Sequence, residues 1–178
     1  MLSISHRNDL PSLLPENAMG VELGVARGDY TEMLAVSGKF EFLLGIDAWA
    51  GDRGHGAEEM EAAINRLKKW QPTVSMLQAT FEGAVSSFAN GSLDFIYIDG
   101  YAHTGQEGGE TLEQWWPKLK PGGIFAGHDF CPCWMPTLIS VQNFCASKSM
   151  EFSVTGEACE TSTITHPSWW LKKKLGEK

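Results

Sequence analysis

Short apolar runs separated by longer stretches with helical spacing set the pattern of this chain. Runs at 19–25, 42–49, 74–79, 93–98 and 123–127 are partly β-branched and are bounded by Gly, Asp or Asn. Runs of that length between turn formers predict strands buried on both faces, the habit of a parallel sheet. Between them, 30–36 carries apolar residues at helical spacing, 57–70 repeats Met60, Ala63, Ile64 and Leu67, and 111–119 ends at Lys120-Pro121-Gly122-Gly123. These spacings predict helices. A later helix is predicted from 136 to 147, and 151–155 with 162–170 predicts a final antiparallel pair of strands. The alternation predicts an α/β fold: a doubly wound, mostly parallel seven-stranded sheet of Rossmann-like type with helices on both faces. Segment 2–14 predicts a short capping helix with Leu10, Leu13 and Leu14 on its apolar face. Trp115 and Trp116 are expected against the sheet, and Trp169 and Trp170 on a core-facing last strand.

Composition narrows the partners. With 178 residues and 43% hydrophobic content, the chain fits one domain around one core: a cap segment at 1–17, a ligand-binding core at 18–130, and a helix with the last strands at 131–178. The net charge of -8 argues against nucleic acid, whose binding depends on neutralising phosphates with Lys and Arg, and leaves small molecules or sugars as partners. No run of about 18 apolar residues occurs and the first residues lack a secretory pattern, so a cytoplasmic protein without a membrane span is expected. Oligomeric state leaves no mark in the pattern. The four cysteines, Cys131, Cys133, Cys145 and Cys159, form no disulfide framework and are expected as reduced thiols. His128 with Cys131 and Cys133 raises a zinc site, but a C-x-C pair lacks the two to four intervening residues of common structural sites.

The chemistry concentrates at the carboxyl ends of the predicted strands, where open α/β sheets bind ligands. Residues 20–28 read GVELGVARG, an apolar run closed by Glu22 and two glycines, Gly24 and Gly28, and Asp47 closes the next run. This reads as a nucleoside-cofactor cradle: glycines admit close backbone approach, and a carboxylate on the next strand can hold ribose hydroxyls. The dinucleotide fingerprint G-x-G-x-x-G is absent, and Glu22 would repel a pyrophosphate while suiting a cationic amino-acid end, as in S-adenosylmethionine. Thr80, Asp99 and Asp129 close the other three runs, and carboxylates at such ends need charge or hydrogen-bond partners.

These residues carry a family resemblance. The block Glu22-Leu23-Gly24 to Gly28, followed by GIDAWAGD at 45–52, resembles class I S-adenosylmethionine-dependent methyltransferases. A later block resembles the small-molecule and sugar O-methyltransferase group of family 24: Phe81, Phe88, LDFIYIDG at 93–100, His103-Thr104, Trp115, Lys120-Pro121-Gly122-Gly123 and His128-Asp129. The resemblance implies S-adenosylmethionine as cofactor, with Glu22, Gly24 and Gly28 beside its methionine portion, Asp47 on the ribose, Thr80 and Phe81 near the adenine, Trp49 as a stacking wall, and Asp99 at the methyl end. It implies methyl transfer to a hydroxyl of a saccharide or another small molecule, with His103 and Asp99 as catalytic residues. Mg2+ held by Asp99 and Asp129 is a further expectation, as in metal-dependent O-methyltransferases. Two residues, Tyr101 and Ala102, separate Asp99-Gly100 from His103-Thr104, one more than is usual in similar sequences. Asp52, Arg53 and His55 lie in a Gly-rich loop expected over the cofactor mouth. Two rival functions keep the fold: a nicotinamide-dependent oxidoreductase, or a non-catalytic cofactor-binding scaffold.

Overall fold

The computed structural model describes residues 4–51, 54–156 and 166–176. Seven strands form one sheet: β1 (Ala18–Leu23), β2 (Phe40–Asp47), β3 (Val74–Gln78), β4 (Leu93–Ile98), β5 (Leu119–Gly127), β6 (Ser153–Val154) and β7 (Trp169–Lys172). Their order is β3-β2-β1-β4-β5-β7-β6. The first five pair in parallel, while β7 runs antiparallel to both β5 and β6. The order reverses between β1 and β4, and that switch opens a crevice beyond their carboxyl ends.

Alternation along the strands feeds a core on each face. On β4, Phe95 and Tyr97 join the cluster under α1 (Asp29–Val36) and α2 (Ala57–Leu67), where Leu34, Ala63 and Leu67 are fully or nearly fully buried. Ile96 and Ile98 point the other way, to Phe81 and Ala84 of α3 (Phe81–Val85), Leu112 and Trp115 of α5 (Glu110–Trp115), and Val141 and Phe144 of α6 (Met135–Ser147). Strands buried on both faces can be apolar at every position, which is why these runs stand out in the sequence. Trp115, Trp116, Trp169 and Trp170 are all buried as expected.

Three elements differ from expectation. The capping helix is a 310 helix over Arg7–Leu13, shorter than the expected 2–14, with Pro11 inside it and His6 accepting from the Asn8 amide; residues 2 and 3 lie outside the described residues. Helix α5 stops at Trp115, a 310 turn over Trp116–Lys118 follows, and β5 begins at Leu119, before the predicted position 123. Lys120-Pro121-Gly122-Gly123 lies inside the strand because the register jumps there, from Leu93 opposite Leu119 to Phe95 opposite Ile124. Such a bulge tolerates a proline, and Gly122 takes φ +85°. Of the predicted strand over 162–170, β7 takes the end, and 162–165 lie outside the described residues, as do Cys159, Asp52 and Arg53. Among the described residues no helix is long and apolar enough to cross a membrane.

Candidate active site

A cleft of about 480 Å3 lies at the crevice, its walls built from the loops after β1, β2 and β4. That volume is ordinary for a small-molecule pocket. After β1 the chain turns at Gly24, whose φ of +96° favours glycine and whose Cβ position would collide with the Asp99 carbonyl. The loop is tied across the sheet by Asp47: Oδ2 accepts from the Val25 and Ala26 amides, both at 2.9 Å, and Oδ1 accepts from the Trp49 amide at 2.9 Å. Trp49 returns the tie, its indole N–H donating to the Ala26 carbonyl at 2.9 Å. Ala26 and Trp49 both have positive φ, strain that these bonds offset. Asp47 thereby shapes the loop, with one carboxylate lone pair on Oδ1 beyond these bonds.

Glu22 forms the floor. It is 1% exposed, and among the described residues its Oε2 has no hydrogen-bond partner. Burial pushes its carboxyl up to about 8, against the opposing pull of the neighbouring Thr31 hydroxyl, so it is largely protonated at neutral pH in the folded chain.

Beside Glu22, Asp99 follows β4 and meets two cations. Arg7 from the capping segment places Nη1 3.2 Å from Asp99 Oδ2, with its guanidinium 4.5 Å above the Tyr30 ring. His128, after β5, places Nδ1 3.5 Å from Asp99 Oδ1 and 3.2 Å from Asp129 Oδ1. Burial alone would lower the His128 imidazolium, but the Asp99 and Asp129 carboxylates outweigh it and raise it to about 10. Burial works against the Asp99 charge in turn, and His128 and Arg7 hold its carboxyl below the ordinary value.

This arrangement gives the Mg2+ expectation no support. The oxygens of Asp99 and Asp129 that a hard cation needs already face an imidazolium and a guanidinium, and an imidazole is a poor magnesium ligand. The residues present do not fit Mg2+, and no chemistry is routed through it.

The remaining expected residues divide. Thr80, Phe81, Trp49 and His103 line the same cleft as Glu22, Gly24, Asp47, Asp99 and Asp129. Thr80 caps α3 by accepting from the Gly83 amide at 3.1 Å, and Phe81 packs with Tyr101 at 4.8 Å between ring centroids. Gly28 is not among the lining residues: its φ of +80° starts α1, and its Cβ position would lie 3.1 Å from the Leu67 side chain. His55 lines the cleft and contacts Glu59 at 2.6 Å. His103 stands exposed on a 310 turn over Ala102–Thr104, and α4 (Gly105–Gly108) follows it. That rim is pinned to α6, where the Thr137 hydroxyl donates to the Ala102 carbonyl at 3.1 Å and accepts from Gln106. Arg7 and Tyr30 also line the cleft and were not singled out from sequence, because nothing in a lone Arg near the start announces a carboxylate 92 positions away.

A family model described as a methyltransferase domain, of family 24, matches residues 21–130, more than half of the chain. The chain belongs to this methyltransferase family. The matched stretch runs from β1 to the turn after β5 and so contains Glu22, Asp47, Asp99, His103 and Asp129, while Arg7 lies outside it. A comparison with curated proteins finds no match. Solved structures agree on the fold of the methyltransferase domain. An S-adenosylmethionine-dependent O-methyltransferase from Thermotoga maritima is 16% identical with a TM-score of 0.63, covering 100% of this chain and 69% of its own. Precorrin 8w decarboxylase of Methanobacterium thermoautotrophicum is 16% identical with a TM-score of 0.66, covering 94% and 87%. A Streptococcus mutans protein solved in complex with SAH is 13% identical with a TM-score of 0.66, covering 93% and 94%. Identities this low establish the seven-stranded methyltransferase architecture, not the acceptor.

Proposed function

We propose that this methyltransferase moves the methyl group of S-adenosylmethionine to a hydroxyl oxygen of a saccharide or another small molecule. Glu22 carries the cofactor half of the reading. A buried carboxylic group with an unpartnered oxygen, at the floor of a cleft, is costly unless a ligand completes it. A cationic amino end supplies that completion, and a pyrophosphate does not. Gly24 keeps the backbone clear beside it, Asp47 Oδ1 has capacity for one ribose hydroxyl, and Thr80 with Phe81 offers a wall for the adenine. Arg7, beside Asp99 and Tyr30 in the same cleft, adds a cation for a carboxylate.

When bound, S-adenosylmethionine supplies a methyl group already activated by its sulfonium. What the protein adds is orientation and proton removal. His103, on the rim of the same cleft, takes the proton of the acceptor hydroxyl as the oxygen attacks. Asp99 stays ionised between Arg7 and His128 and steadies the positive charge at the methyl end. The net charge of -8 favours an uncharged or cationic acceptor over a phosphorylated one.

Calorimetric titration with S-adenosylmethionine, S-adenosylhomocysteine and NADH tests the cofactor, and mass spectrometry of a panel of saccharides and small alcohols tests the transfer. Binding of the two sulfur compounds and methylation of a hydroxylated acceptor are expected. Binding of NADH alone would instead support the oxidoreductase reading, and cofactor binding without transfer to any acceptor the scaffold reading.

A further inference from the structure

Outside the cleft, two segments distant in sequence meet beside the end of β5. Cys131 and Cys133 belong to the turn that follows β5, and His166 belongs to the approach to β7. The Phe130 amide donates to the Pro167 carbonyl at 2.9 Å and stitches the segments together. Within the turn, the Cys131 amide donates to the Asp129 carbonyl and the Trp134 amide to the Cys131 carbonyl, each at 2.9 Å. Cys131 Sγ stands 3.5 Å from His166 Nδ1 and 2.6 Å from Cys133 Sγ. The three ligand atoms lie within 4.8 Å of one another. Cys131 and His166 are buried and Cys133 is exposed.

We propose that Cys131, Cys133 and His166 bind one Zn2+ ion that clips the turn after β5 to the approach to β7. Two thiolates and an imidazole are the donor set of a borderline-soft, tetrahedral cation, and they suit neither magnesium nor calcium. Tetrahedral zinc with Zn–S of about 2.3 Å and Zn–N of about 2.0–2.1 Å places a sulfur and a nitrogen about 3.5 Å apart. The Cys131–His166 separation of 3.5 Å meets that requirement already. Two zinc-bound sulfurs stand about 3.8 Å apart, so Cys133 must swing outward by about 1 Å, which its exposed side chain can do without disturbing the core. On binding, two thiol protons pass to solvent and two Zn–S bonds and one Zn–N bond form, and a water molecule can take the fourth position. Sequence spacing could not show the site, since its third ligand is not His128, which faces Asp99 and Asp129, but His166 from another segment.

The ion has a consequence for the cleft. Asp129 and Trp134 line the cleft on either side of Cys131, so a clip at Cys131 fixes one end of the rim. This inference does not depend on the proposed acceptor or on methyl transfer.

The test uses the full chain, stripped with a chelator under reducing conditions and titrated with Zn2+ against a chromophoric chelator, then with Co2+ in its place. One ion per chain is expected, with thiolate-to-cobalt charge-transfer absorption in the near ultraviolet. Cys133→Ser, at an exposed position safe for folding, is expected to weaken Zn2+ at least tenfold and diminish that band, and His166→Ala to weaken Zn2+ comparably with the band kept. Zinc binding equal to wild type in both variants, or lost only in Asp129→Asn, overturns the proposal. So does a Cys131–Cys133 disulfide that persists under the reducing conditions and leaves no zinc bound.

Discussion

The guanidinium of Arg7 lies 3.2 Å from the Asp99 carboxylate, joining a residue of the capping segment to the end of the fourth strand. The same guanidinium rests on the Tyr30 ring, and the Tyr30 hydroxyl donates to the Arg7 carbonyl at 2.9 Å. The capping segment is therefore held through the ligand cleft itself, and whatever alters the cleft is felt by the first residues of the fold. Arg7→Ala is expected to lower stability by about 1–2 kcal/mol, read from the urea midpoint. Arg7→Lys, which keeps the charge but loses the flat stacking surface, should recover only part of it.

Glu22 predicts an unusual pH dependence. Burial raises its carboxyl to about 8 from an ordinary 4.5, so between those values the folded chain holds a proton that the unfolded chain has released. This contribution to stability is whole below about pH 4.5 and is lost as the pH rises through about 8. Glu22→Gln removes the loss: its Tm should nearly equal that of wild type at acid pH and exceed it above pH 8, by at most about 5 kcal/mol in stability. A Tm difference independent of pH would show that burial does not govern this group.

The same proton reports on the ligand. At pH 7 a cationic amino end bound over Glu22 ionises it, so calorimetry in buffers of different ionisation enthalpy should detect proton release for wild type and none for Glu22→Gln.

Asp47 holds three backbone amides in place, so Asp47→Ala leaves the Val25, Ala26 and Trp49 donors without their acceptor. S-adenosylhomocysteine affinity is expected to fall by at least about tenfold, the cost of one lost charged hydrogen bond. Unchanged affinity would remove Asp47 from the cofactor site.

His103 is exposed on the rim, and His103→Ala should leave the fold and cofactor affinity intact while lowering the methyl transfer rate by about 10²–10⁴. Equal loss of cofactor affinity would mark it as a binding residue instead.

Much of this protein was legible in the chain. The strand at 93–98 is apolar at all but Asp94 because both faces are covered, and its burial follows from that pattern, whereas the edge strand at 74–78 is buried only at Val74. Glu22, Gly24 and Asp47 could be placed at one edge because parallel strands deliver their carboxyl ends together. The start of β5 was misplaced because a Pro-Gly-Gly run reads locally as a stop, and only the pairing of Leu119 with Leu93 makes it a bulge. The Mg2+ expectation at Asp99 and Asp129 gains no support for a similar reason: the sequence shows the carboxylates but not that Arg7 and His128 face them.

By itself the sequence determined the alternation of strands and helices, the acid-and-glycine edge and the family, because periodicity and local motifs are properties of neighbouring residues. The tertiary structure decided which distant side chains meet. Arg7 finds Asp99, His128 settles between two carboxylates, and His166 arrives beside Cys131 across 35 positions. Those meetings set charge, protonation and metal affinity, and they depend on strand order and loop path, which no local spacing encodes.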